Sequence, residues 1–310
     1  MNATPSLRQY LIGILFLLAS CHSKQARIPS DQFLDDDRIN ETSGIAASHL
    51  NPGFLYVHND SGDSSRFFAI TPDGHLQTIL DFNGDPALPL GVTDCEDIAV
   101  GPGPDPNSSY VYIGDIGDNN GGRKHITIYR IKEPILERRP VDSARSSGSG
   151  IDSTAPFKHL SAEPLFLQYP DGPRDAETLM LDPIEKLIYI VSKREDSVHV
   201  YSTPLNFKAH DKVILTKHTN LYFPGTNNWI TAGDISADGA QILVKSYTKV
   251  YFWPRPAQEP VWKTLQRPPT TLPYIIEPQG EAIGFDFAGA GYYTVGEGKR
   301  PELFYYKVPY

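Results

Sequence analysis

The chain has 310 residues, a formal net charge of −9, 40% hydrophobic and 21% charged residues, with 27 Pro and 25 Gly. It is too apolar and too mixed in charge to be disordered, and its acidic balance gives no general pull towards nucleic acid, so no nucleic-acid partner is expected. With 17 Tyr against 2 Met, the composition favours strands and turns over helices.

Residues 1–20 read as an export signal. Arg8 supplies the positive n-region and Leu11–Leu18 a short apolar run, well below the roughly 20 residues that span a bilayer. The ending Leu18-Ala19-Ser20-Cys21 resembles the lipobox of bacterial lipoproteins, which implies that Cys21 is acylated and becomes the mature N-terminus. An ordinary cleaved signal with an incidental Cys is the alternative. A lipid on Cys21 would hold the protein at a membrane surface without a spanning segment. The expected address is therefore the bacterial cell envelope, with the outer membrane preferred because His22 follows the Cys where Asp favours inner-membrane retention. Polar residues 21–30 would serve as the tether and 31–310 as the folded domain. Only Cys95 then remains, which excludes an intramolecular disulfide and reads as a small buried hydrophobe beside Ile98-Ala99-Val100.

From residue 31 onward one pattern recurs: an acidic residue opens an apolar run, a turn follows, then a second strand and a third. The openers are Glu41, Glu96, Glu177, Asp234 and Glu281, separated by 55, 81, 57 and 47 residues. Second strands read at 54–58, 110–114, 187–191, 241–245 and 292–296, and third strands at 66–70, 126–130, 198–202, 250–253 and 303–307. Fourth strands are expected at Leu76–Phe82, Glu163–Tyr169, Thr219–Phe223 and around Pro273–Ile276. Units of this size with about four strands each predict an all-β fold, a single β-propeller of antiparallel blades. Five blades are preferred. The 81-residue gap leaves a sixth open, although residues 133–160 read as a flexible insertion. The last unit has three strands, and a segment near Gln32–Asp37 could supply its fourth and close the ring.

In a propeller the first strand of each blade lines the central channel. Equivalent openers would therefore place Glu41, Glu96, Glu177, Asp234 and Glu281 in one ring at a channel mouth, with Lys193, Arg194, Lys245 and Lys299 as compensating cations. A bound Ca²⁺ or Mg²⁺ would compensate equally well. Glu41 to Asp60 and Glu96 to Asp115 are both 19 residues apart, and each Asp begins a similar loop, Asp60-Ser-Gly-Asp63 and Asp115-Ile-Gly-Asp118. Hard oxygen ligands on Gly-containing turns suit these cations, while favourable turns in which Asp caps backbone amides are the alternative. Glu96 and Glu177 are the first catalytic candidates, and His58, ending a second strand, is the best histidine for acid–base work or a structural one. Trp229 beside the acidic residues suits a sugar face or simple packing. No nucleophile elbow, His-Glu-x-x-His, Walker loop or dinucleotide fingerprint is present.

The runs Thr93-Asp94-Cys95-Glu96-Asp97-Ile98-Ala99-Val100 and Tyr112-Ile113-Gly114-Asp115-Ile116-Gly117-Asp118-Asn119 resemble a group of bacterial exported propeller-like proteins. Gly172-Pro173-Arg174-Asp175-Ala176-Glu177, Ala232-Gly233-Asp234-Ile235-Ser236 and Pro278-Gln279-Gly280-Glu281-Ala282 carry the same likeness, which covers nearly the whole mature chain. More distantly the chain is similar to esterase-like phytase domains and to SdiA-regulated periplasmic propellers. That resemblance implies a propeller with calcium or phosphate-ester chemistry, although the dense acidic clusters of β-propeller phytases are not evident in the sequence.

Three functions follow as expectations. The first is a membrane-anchored monomer whose mouth binds a small polar ligand through a divalent cation, with metal-dependent hydrolysis of a phosphoester or lactone as the chemistry open to it. The second is a glycosidase with paired carboxylates roughly 5 to 9.5 Å apart. The third is a non-catalytic envelope scaffold that contacts a partner protein through exposed aromatics such as Trp253, Tyr305 and Tyr306.

Overall fold

The computed structural model describes residues 32–140, 150–225 and 229–309. The export signal, Cys21 and the tether lie outside the described residues. Five sheets stand in a ring, so the fold is a five-bladed β-propeller.

Blade 1 runs outward through β1 (Thr42–Ala47), β2 (Leu55–Asn59), β3 (Arg66–Ile70) and β4 (Leu76–Phe82). Blade 2 begins with β5 (Cys95–Pro102), β6 (Ser109–Asp115) and β7 (Ile126–Lys132). The chain then returns to blade 1, laying β8 (Phe157–Leu160) parallel to β4, before β9 (Ala162–Gln168) pairs with β7. Blade 3 holds β10 (Ala176–Asp182), β11 (Leu187–Ser192) and β12 (Val198–Pro204). A second excursion puts β13 (Lys212–Ile214) parallel to β9 on blade 2, and β14 (Thr216–Leu221) closes blade 3. Blade 4 comprises β15 (Ile230–Ile235), β16 (Gln241–Ser246), β17 (Val250–Pro254) and β18 (Thr270–Leu272), with the one-turn helix α1 (Val261–Thr264) before its last strand. Blade 5 has β19 (Ala282–Phe285), β20 (Gly291–Val295) and β21 (Leu303–Lys307).

The excursion to blade 1 accounts for the long gap between Glu96 and Glu177. The described parts of the expected insertion are built into the blades. Within 133–160, Phe157–Leu160 is a strand, and the Glu133 carboxylate accepts the backbone N–H of Leu50 at 3.1 Å and the hydroxyl of Tyr56 at 3.1 Å. Those bonds tie the segment to blade 1 from its start.

Why the sequence folds this way is clearest in the second strands. Every residue of β2, Leu-Tyr-Val-His-Asn, is buried, because each blade is covered on both faces by its neighbours. The core is accordingly five clusters, one between each pair of adjacent blades. Tyr56, Phe67 and Ile113 belong to the cluster of blades 1 and 2, for example, and Leu179 and Tyr112 to that of blades 2 and 3. The inner strands β1, β5, β10, β15 and β19 touch in that order, and β19 touches β1.

Among the described residues no ladder pairs one inner strand with the next, and carboxylates in the channel wall bridge two of these gaps. Asp97 accepts the amides of Ile98 and Leu179, each at 2.9 Å, and Asp234 those of Ile235 and Phe285, each at 2.8 Å. Each Asp thus clips two blades together.

The N-terminal segment closes the ring with less strand than expected. Phe33 and Glu302 form an isolated antiparallel bridge, Leu34 N–H donates to Pro301 at 3.1 Å, and Leu303 N–H to Gln32 at 2.8 Å. Asp35 then accepts Leu76 N–H at 2.9 Å, so the same few residues hold blade 5 to blade 1. Gly74, at a φ of +87°, sits with its α-carbon against the Phe33 carbonyl, where a side chain would not fit.

Candidate functional site

The site arises from a shift of register at the start of the inner strands. In β1 the pairing skips from Thr42–Asn59 to Gly44–His58, and β5, β10 and β15 skip in the same place. The residues left over at these bulges are Ser43, Glu96, Glu177 and Thr231, and Glu281 stands in the same place directly before β19. Bulges re-aim a side chain, and here they turn one residue per blade to the channel mouth.

Two further tiers surround this one. Just before the inner strands come Glu41, Asp94, Asp175, Trp229 and Gln279, and just after the second strands come Asp60, Ile116, Lys193, Tyr247 and Glu297. This register corrects the expected ring of Glu41, Glu96, Glu177, Asp234 and Glu281. Glu41 is exposed and belongs to the tier of Asp94, so Ser43 takes its place. Asp234 lies deeper as a wall clip, and Thr231 stands at the bulge. The mouth tier therefore carries three glutamates, one Ser and one Thr.

Seven carboxylates nevertheless converge, in three groups whose ligand oxygens lie within 4.8 Å of one another: Asp60, Asp94 and Glu96; Asp60, Glu281 and Glu297; Glu96, Asp175 and Glu177. Asp60 and Glu96 each belong to two groups. The basic side chains sit to one side. The Lys193 ammonium donates to Glu177 Oε1 and stands 3.5 Å from Glu281 Oε1, while Arg194 Nε donates to Asp175 Oδ2 at 2.5 Å. The Tyr247 hydroxyl donates to Glu281 Oε1 at 2.5 Å. Arg194 also lies over the half-exposed Trp229 ring, 4.9 Å from its centroid.

The first group has such help only at a distance, from Arg123 on Asp94 and from Lys193 on Asp60 and Glu96. Among the described residues no basic side chain forms an ion pair with Asp60, Asp94 or Glu96. Glu96 Oε2 faces the Ser43 hydroxyl at 3.3 Å, and Asp94 Oδ2 faces the Asn119 amide at 3.4 Å. Asp94 Oδ1 and Glu177 Oε2 are buried without any partner. Gly117 makes the approach of Asp94 and Glu96 possible, since a Cβ there would run into Glu96 Oε1 and Asp94 Oδ2.

Crowding and burial hold these acids towards their neutral forms. Burial pushes Asp60 up to about 7, with Asp94 and Glu281 adding to the rise. Burial likewise raises Glu96 well above the ordinary carboxylate range, reinforced by Glu177, Asp60 and Asp94. Glu177 is raised well by burial although Lys193 opposes it. Burial and Glu281 bring Glu297 up to about 7.

The other sequence candidates resolve into supporting roles. Asp115 pairs with Arg123 at 2.7 Å and accepts the amides of Thr93 and Asp94, while Asp118 accepts those of Gly122 and Arg123. Asp63 pairs with Arg66 at 2.7 Å and accepts the Asn59 amide at 2.8 Å. Of the four Asp in the two matching loops, only Asp60 therefore joins the acidic mouth. The equal spacing misleads because Asn59, not Asp60, is the equivalent of Asp115: Asn59 pairs with Thr42 as Asp115 pairs with Cys95.

His58 is buried, with Nδ1 at 2.8 Å from the Asn59 carbonyl, and burial pushes it down to about 4. Its Nε2 lies against Gly44, and the ring belongs to none of the three carboxylate groups. Lys245 is fully buried, donates to the Gly280 carbonyl, and is brought down by burial to about 8. Asp94, Asp175, Tyr247 and Glu297 were not among the expected site residues. Asp94 and Asp175 carry a signal in hindsight, since each lies two residues ahead of a bulge Glu. Trp253, expected as an exposed contact residue, is buried, and its indole N–H donates to the Arg267 carbonyl at 2.8 Å.

No protein-family model matches the chain, and no curated protein matches it in sequence. Among solved structures it is similar to a "putative 6-phosphogluconolactonase" from Bacteroides uniformis, with 12% identity, 86% of this chain and 67% of that chain covered, and a TM-score of 0.38. At that score the likeness says nothing of the site, whose reading rests on the residues above.

Proposed function

We propose that the chain is an envelope propeller that binds a divalent cation, Ca²⁺ or Mg²⁺, with Asp60, Asp94 and Glu96, and through it a small polar, oxygen-bearing ligand. One observation carries this reading. Three carboxylates meet with no basic partner among the described residues, one oxygen of Asp94 is buried with nothing to bond, and Gly117 leaves the space in which they gather. Buried like charges are costly unless a cation is shared between them, and all-oxygen donor sets suit these two ions.

A cation held there would polarise a phosphoryl or carbonyl oxygen and lower the pKa of bound water. Phosphoesters and lactones are therefore the substrates to screen, in keeping with the remote resemblance to esterase-like phytase domains. Lys193 and Arg194, beside Glu177 and Asp175, would orient the anionic part of a ligand. The export signal and lipobox-like ending support attachment to a bacterial membrane through Cys21. Cys21→Ala is expected to move the protein from the membrane fraction to the soluble one, as read by fractionation of cells expressing each form.

The cation is tested by thermal melts of the chelated full chain with and without CaCl₂ or MgCl₂. At a hundred times its dissociation constant a ligand adds about 2.7 kcal/mol, so the midpoint is expected to rise in the wild type and stay put in Glu96→Gln. No rise with either salt overturns the reading and turns attention to Glu96 and Glu177 as a metal-free carboxylate pair.

A further inference from the structure

Resting on the cation reading above, we infer that the mouth holds two divalent cations, one in Asp60, Asp94 and Glu96 and the other in Glu96, Asp175 and Glu177, with the Glu96 carboxylate shared between them. Glu96 is the only residue common to these two groups. Its place at the bulge of β5 sets it between Asp94 of its own blade and Asp175 and Glu177 of the next.

Each end of this chain of carboxylates carries its own unsatisfied atom. Asp94 Oδ1 and Glu177 Oε2 are both buried without a partner, on residues only 8% and 2% exposed. A single ion in the first group satisfies Asp94 and leaves Glu177 as it was. Buried polar atoms are rarely left so, and two in one mouth ask for two ligands.

The remaining group, Asp60 with Glu281 and Glu297, is a poorer host. Glu281 Oε1 already takes the Tyr247 hydroxyl and lies beside Lys193, and neither Glu281 nor Glu297 has a buried unpartnered oxygen. In the second site Lys193 donates to Glu177 Oε1, while Arg194 and the Asp118 amide donate to the two oxygens of Asp175, so Glu177 Oε2 is the oxygen left wholly to the ion and Asp175 would share its lone pairs with it. Two cations bridged by one carboxylate form a centre that can grip two oxygens of one oxyanion.

The experiment is equilibrium dialysis of the metal-free full chain against CaCl₂, with bound calcium counted by elemental analysis. Two Ca²⁺ per chain are expected. Asp94→Asn and Glu177→Gln should each keep one, and Glu96→Gln should weaken both at least tenfold. Near-ultraviolet circular dichroism in chelator shows that each variant is folded.

Electron paramagnetic resonance of the wild type with Mn²⁺ needs no variant: two neighbouring ions give a coupled spectrum, isolated ones a simple six-line pattern. One Ca²⁺ in the wild type, lost in Asp94→Asn and kept in Glu177→Gln, overturns the second site and leaves the first standing. No bound calcium overturns both, and two in Glu177→Gln removes Glu177 from the centre.

Discussion

Asp60 and Glu297 are carboxyls that burial pushes up to about 7, against about 4 in an unfolded chain. A carboxyl raised in this way favours the folded state below its unfolded value, and that contribution is lost as pH rises through the folded one. The chelated protein should therefore lose stability between pH 4 and 7, and urea melts at pH 5 and pH 8 should show the lower midpoint at pH 8. Asp60→Asn is expected to narrow the gap, and saturating Ca²⁺ to close it, since the ion takes the place of the protons. A gap as wide in Asp60→Asn as in the wild type would mean that the pH dependence arises elsewhere.

Gly117 tests the same carboxylates from the other side. A Cβ there displaces Glu96 and Asp94, so Gly117→Ala is expected to cost about 1–3 kcal/mol by overpacking. It should also weaken calcium binding at least tenfold, measured by calorimetric titration.

Between blades, single polar pairs act where the hydrophobic cores end. Arg255 beyond β17 grips Asp182 at the end of β10 through two bonds of 2.7 and 3.0 Å, both side chains buried. Removing Asp182 leaves the buried Arg255 with only the Glu185 carboxylate, 3.2 Å away, so Asp182→Ala is expected to cost about 3 kcal/mol, the low end for a broken buried pair, in urea denaturation without changing calcium binding. A change in calcium binding would mean that the strain reaches the mouth at the other end of β10.

Most of the strands are legible in the sequence, although the last strand of blade 4 is Thr270–Leu272 and not the expected segment around Pro273–Ile276. Leu76–Phe82 is β4 residue for residue, because alternating apolar residues between turn signals mark a strand wherever it lies. The register at the mouth was not legible. The bulge residue of blade 1 is Ser43, two positions after Glu41, and nothing local in Glu-Thr-Ser-Gly records it, since the bulge is set by the strand across. The excursions β8 and β13 escaped for a related reason. They are short parallel pairings with strands far away in sequence, and four exposed-looking residues such as Phe-Lys-His-Leu carry no sign of their partner.

Over the described molecule, each blade packs mainly on its two neighbours, with β15 also reaching β5 and β1 across the channel, so stability is shared among five interfaces of similar make. Four of them join blades that follow one another in the chain. The fifth, between blades 5 and 1, is held by residues from the two ends, with Leu34 fully buried among Ile45, Val57, Ala282 and Leu303. This seam also flanks the mouth, since Asp60 comes from blade 1 while Glu281 and Glu297 come from blade 5. Leu34→Ala is expected to cost about 2–5 kcal/mol. Hydrogen exchange should then quicken in β1 and β19–β21, with β10–β12 on the opposite side of the ring keeping their protection. If protection falls equally in all five blades, the ring opens only as a unit and the seam has no stability of its own. If the loss is confined to blades 5 and 1, the seam is the weakest part of the ring, and cations in the neighbouring carboxylates should restore protection there first.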